Sequence, residues 1–75
     1  MIIKFSRHAK RRAKLYAIAE STIESILTNM KLTEGEHDLI ENVEGFKYPI
    51  KIVVSVKDDI LTIITNYPLK KGKNK

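Results

Sequence analysis

The chain of 75 residues has no cysteine, which excludes disulfides, thiolate chemistry and Cys-based zinc sites and suits a reducing compartment. No apolar run approaches the ~20 residues that a helical membrane span requires. The opening Met1-Ile2-Ile3-Lys4-Phe5 is too short for a secretory leader and runs straight into cations. These absences lead to the expectation of a cytoplasmic protein with no membrane association. Acids are missing from the first 14 positions, and Gly and Pro from residues 7–30. The length allows one domain with a modest core, expected over residues 1–68 and followed by a basic flexible tail at 69–75. Hydrophobic residues make up 43% of the chain, enough for a compact fold.

Against those absences stands an uneven charge. Fourteen Lys and Arg oppose nine acids, for a net +5. Residues 1–14 carry +6, residues 15–46 carry one Lys against seven acids, and residues 47–75 carry seven Lys against two Asp. A concentrated basic segment is the electrostatic footprint of polyanion binding. The competing reading is that the cations only keep a small domain soluble.

The apolar pattern predicts an α+β domain. Ile2–Phe5 reads as a short strand, and Ser6 has the chemistry of a helix N-cap. Leu15, Tyr16, Ala19, Ile23, Ile26, Leu27 and Met30 recur at three- and four-residue steps and predict one buried face, with Glu20, Ser21, Glu24, Ser25 and Thr28 on the wet side. The acids at 20 and 24 mark a fresh helix start, favouring two helices broken around Ala17–Ala19 over one long helix. After a loop at 33–36, strands are expected at 37–43, 46–57 and 60–67, with Asp58-Asp59 as a two-residue hairpin turn. Pairing Lys57 with Ile60 sets Val56 opposite Leu61 and Val54 opposite Ile63 on a face for the helices to cover. The other face would mix Lys51, Val53, Ser55 and Lys57 with Ile60, Thr62, Ile64 and Asn66, and Pro68 would end the last strand.

Ser6-Arg7-His8-Ala9-Lys10-Arg11-Arg12, Ile18, Thr22-Ile23-Glu24-Ser25-Ile26-Leu27 and Thr62-Ile63-Ile64-Thr65-Asn66-Tyr67-Pro68 together resemble a small prokaryotic domain family grouped with the BrnT and RelE toxins of toxin–antitoxin systems. The likeness covers residues 3–68 and rests mainly on a His-Ala-x-x-Arg opening. It implies a strand, two helices and an antiparallel sheet of three to four strands. It also implies a metal-independent endoribonuclease acting on mRNA, free or ribosome-bound, and neutralised by an acidic antitoxin. By position His8 and Arg12 match the opening motif and Tyr67 the closing one. The chain has Tyr16-Ala17-Ile18 where many members carry Arg-Gly-Ile, and Ala19 where a Ser caps the second helix.

Metal-free RNA cleavage needs a base for the 2′-OH, a cation for the developing charge and an acid for the leaving oxygen. His8 is a candidate base or acid, because imidazole as a class of side chain titrates near neutrality. Arg11 or Arg12 can hold a phosphate with planar donors. Tyr67 can donate a proton or stack on a base. Lys4, Arg7, Lys10, Arg11, Lys14 and Lys51 are the candidate RNA-binding cations. Each has a plainer reading: His8 orients the helix locally, Arg12 pairs with an acid such as Glu41, and Tyr67 joins the core on the Val54 side. His37 sits between Glu36 and Asp38, but three adjacent residues do not converge on one ion, so neither metal nor cofactor is expected. Two alternatives to the nuclease stand beside it: a non-catalytic nucleic-acid-binding or regulatory module, and a structural protein that docks an acidic partner.

Overall fold

The computed structural model describes residues 2–69; of the expected basic tail, residues 70–75 lie outside the described range. The chain runs β1 (Ile2–Phe5), α1 (Arg7–Leu15), α2 (Glu20–Thr28), β2 (Gly35–Glu41), β3 (Ile50–Lys57) and β4 (Ile60–Pro68). The four strands form one sheet in the order β1-β4-β3-β2. Hairpin neighbours β2–β3 and β3–β4 are antiparallel, whereas β1 lies parallel to β4. The sheet is therefore mixed rather than wholly antiparallel. No hairpin joins β1 to its neighbour, and the long intervening chain permits a parallel pairing.

Both helices cover one face of the sheet. Ala9 and Ala13 of α1, Ile23 and Leu27 of α2, and Ile18 between them are buried against Ile50, Ile52, Val54, Val56, Leu61 and Ile63. The small side chains at 9 and 13 leave little standing between the α1 backbone and the sheet. The expected pairs Val54–Ile63 and Val56–Leu61 form. Asp58 and Asp59 both take positive φ, 53° and 66°, the backbone of the tight turn that matches strand twist.

The helix break falls where the acids indicate. The Ile18 N–H donates to the Ala13 carbonyl at 2.8 Å and the Ala17 N–H to the Lys14 carbonyl at 3.2 Å, with Ala17 at φ 56°. This is a Schellman ending with alanine at the left-handed position that glycine usually fills. The break resets the helical phase. As a result Leu15 is 66% exposed and Ala19 is exposed, against the expectation that both join one continuous apolar stripe.

Strand limits also shift. Strand β2 starts at Gly35, two residues early, and ends at Glu41. Residues 46–49 stay outside β3 because Pro49 has no N–H for the ladder and restricts the residue before it. Pro68 is the last residue of β4 and pairs with Ile50. Within β4, Val53 faces Thr65 while Val54 faces Ile63, so Ile64 is an extra residue in a β-bulge. The bulge inverts the alternation beyond it. Asn66, expected on the uncovered face, is instead fully buried beneath the helices. Tyr67, expected on the Val54 side, pairs with Lys51 on the uncovered face and is half-buried.

Candidate nucleic-acid interface

The most concentrated charge sits on α1, and three hydrogen bonds hold that helix to β4. The Ser6 hydroxyl accepts from the Ala9 N–H at 3.0 Å, capping the helix, and donates to the Ile64 carbonyl at 3.0 Å. The Ser6 N–H donates to the Ile63 carbonyl at 3.0 Å. Below the helix, Asn66 Nδ2 donates to the Ala9 carbonyl at 3.1 Å, and Asn66 Oδ1 has no hydrogen-bond partner. The bulge thus sets the pose of the basic helix, since it turns Asn66 inward toward the Ala9 carbonyl.

Ala9 and Ala13 fix the inward side of α1. With ~3.6 residues per turn, Arg7, Lys10, Arg11 and Lys14 form one contiguous stripe, the crest, with Lys10 at its margin beside β1, and His8 and Arg12 share the other flank four residues apart. Arg7, His8, Lys10, Arg11 and Lys14 are exposed and Arg12 is half-buried. None of these cations makes an ion pair among the described residues; the ion pair found there joins Lys51 Nζ to Asp38 Oδ2 at 3.5 Å. The pairing of Arg12 with Glu41 is not formed. The first turn of α1 holds no acid, so Arg7 and His8 stand at the positive end of the helix dipole uncompensated.

The remaining candidates are elsewhere. Lys4 lies in register with Thr62 on the uncovered side of β1, because its neighbours Ile3 and Phe5 pack into the core. Lys51 is on the same uncovered face, tied to Asp38. Tyr67 stands there too, across the sheet from α1. The structure therefore brings His8 and Arg12 together on one helix flank, but hydrogen-bonds neither to Tyr67. Beside the free edge of β1, Ile3, Lys4, Phe5, Lys10, Glu20 and Glu24 line an open depression of about 390 Å³. Its two carboxylates make it a poor seat for phosphate.

His37 lies on β2, within the expected strand, with Nε2 2.7 Å from the Thr33 carbonyl oxygen. No group of three His, Asp or Glu is placed to hold a metal among the described residues, and no helix there is long and apolar enough to cross a membrane. The residue missed by sequence reasoning is Asn66. A polar side chain at the end of an apolar strand is the available signal, but unbroken alternation assigns it to the wrong face. Comparison with known proteins brings no match, whether to a family model, a curated protein or a solved structure.

Proposed function

We propose that this domain is a RelE/BrnT-like toxin-type protein that binds RNA through the crest of α1. The observation that carries the reading is the set of cations Arg7, Lys10, Arg11 and Lys14, exposed and without ion-pair partners among the described residues. Like charges three and four residues apart on a helix each cost about 0.2–0.5 kcal/mol, and an anion laid along the crest relieves that repulsion. Cations held in this way serve a ligand better than they serve the fold.

Single-stranded RNA binding should weaken steeply with salt. Four phosphates neutralised by Arg7, Lys10, Arg11 and Lys14 give a log–log slope of about −3. Arg11→Glu with Lys14→Glu should lower affinity for all sequences alike, measured by fluorescence anisotropy. Affinity that stays constant between roughly 50 and 200 mM salt would remove α1 as the site. An acidic antitoxin fits the same crest and would compete with RNA for it.

A second reading is cleavage of mRNA without a metal, and the exposed His8 one turn from Arg12 favours it. In that reading His8 moves the proton and Arg11 or Arg12 holds the phosphorane. Tyr67, across the sheet, then contributes a stacking surface at most. His8→Ala should abolish RNA cleavage and growth arrest while leaving RNA binding within a few-fold. Purified protein that cuts neither free nor ribosome-bound mRNA leaves the binding function alone.

A further inference from the structure

The face of the sheet opposite the helices is uncovered, and we infer that it is the contact between two copies of this chain. Its centre mixes Val53, Ser55, Thr62 and Tyr67, all half-buried, with Lys51 on the inner strand β3 tied to Asp38, and with Lys4 and Glu36 on the two outer strands. The argument comes from register. Lys4 on β1 is level with Thr62, Thr62 with Ser55, and Ser55 with Glu36 on β2. One row therefore runs across the whole sheet, with a cation at one edge and an anion at the other. Both end residues are exposed, and neither has an ion-pair partner among the described residues.

A two-fold axis parallel to the strands, between β3 and β4, exchanges the edges of two stacked sheets. It lays β1 of one copy over β2 of the other and brings Lys4 opposite Glu36 of the second copy, twice by symmetry. The same operation sets Tyr67 opposite Lys51 of the second copy, which suits a cation over a ring, and Thr62 opposite Ser55. Packed sheets are rotated by about 30°, which displaces the edge residues by roughly one position. The long side chains of Lys4 and Glu36 span that offset. Edge-to-edge pairing through β2 is the poorer choice, since it would line the acids Glu36, Asp38 and Glu41 of one strand along those of the other.

The size of the face sets the strength. Four strands about 4.8 Å apart and about seven residues long, at ~3.3 Å each, cover roughly 450 Å² per copy. Two copies then bury close to the ~1,000 Å² at which specific interfaces begin, so the dimer dissociates on dilution. Both α1 crests point away from the contact, and a pair of them on one RNA gains from avidity.

Sedimentation equilibrium of the full chain without RNA tests this independently of α1. The mass should double between about 1 and 500 µM. Lys4→Glu and Glu36→Lys should each weaken the dimer about tenfold, and the double variant should restore it, because the two charges then exchange places across the contact and opposite signs meet again. Val53→Asp at the centre should leave a monomer, with circular dichroism confirming its fold. Should that variant fail to fold, the charge-swap cycle at two exposed positions decides by itself. A monomer at every concentration, a double variant as weak as the singles, or a face shielded from hydrogen exchange only when RNA is added would each overturn the proposal.

Discussion

Ala17 carries a cost that its side chain makes plain. At φ 56° the Cβ crowds the following carbonyl, a penalty of about 1 kcal/mol that glycine does not incur. Ala17→Gly should therefore raise unfolding free energy by roughly that amount in urea melts, although glycine loses more entropy on ordering; a loss of stability would mean that the Schellman ending is not the conformation in solution. Asn66 poses the opposite problem. It lies fully buried with Nδ2 on the Ala9 carbonyl and Oδ1 unpartnered. That carbonyl already accepts from the helix ladder, so removing the amide orphans nothing. Asn66→Leu should change stability by about 1 kcal/mol or less, whereas Asn66→Asp sets a carboxylate against a carbonyl and should cost about 3 kcal/mol or more. Equal effects from the two would show that the tether, and not polarity, dominates at this site.

At the scale of elements, the bulge at Ile64 is the feature on which the site depends. Deleting Ile64 leaves an even alternation in which Asn66 still turns inward and Tyr67 outward, because the residue removed is the extra one, but it straightens the bulge and strips the Ser6 hydroxyl of its acceptor. The deletion should cost only the one lost hydrogen bond, roughly 1 kcal/mol, read as a slightly lower urea midpoint, and outright unfolding would mean that Ile64 is not the extra residue. This bulge also marks the limit of what the chain reveals as a string of letters. Ser6 announces its cap, Asp58-Asp59 their turn, and Val54 and Val56 their partners, because each depends on residues within a few positions or on a period of two. Ile63-Ile64-Thr65 reads as strand in either phase, so nothing local reveals that one residue is extra. The acids that follow α1 announce its break but not the exposure of Leu15, whose phase depends on where the helix stops. The basic crest is legible outright as charge. That Lys4, Lys51 and Tyr67 lie on another face depends on pairing between residues far apart in sequence.

Across the whole molecule, charge and topology act together. The crest of α1 and the acids of β2 lie on different elements, so the +6 of the first 14 residues meets the −6 of residues 15–46 mainly where Lys4 and Lys10 share a depression with Glu20 and Glu24. Burial of Leu61 and Ile63 of β4 in the core makes the last strand a structural requirement. A chain ending at Lys57 should give a far-UV spectrum without the native sheet, while the chain through Leu69 retains it; a folded fragment would show that β1 and β4 are an addition to a self-sufficient core. The parallel seam between β1 and β4 has a consequence in time. Ile2 meets Ile60, and Phe5 meets Ile63, so the first strand cannot dock until residues 60–63 have left the ribosome. Until then Ser6 lacks its anchor and α1 is a short basic peptide whose length falls below that of helices stable alone. Nascent chains therefore carry the cations but not the rigid crest, and on the proposed function a half-made molecule is a poor competitor for RNA beside the ribosome that is making it.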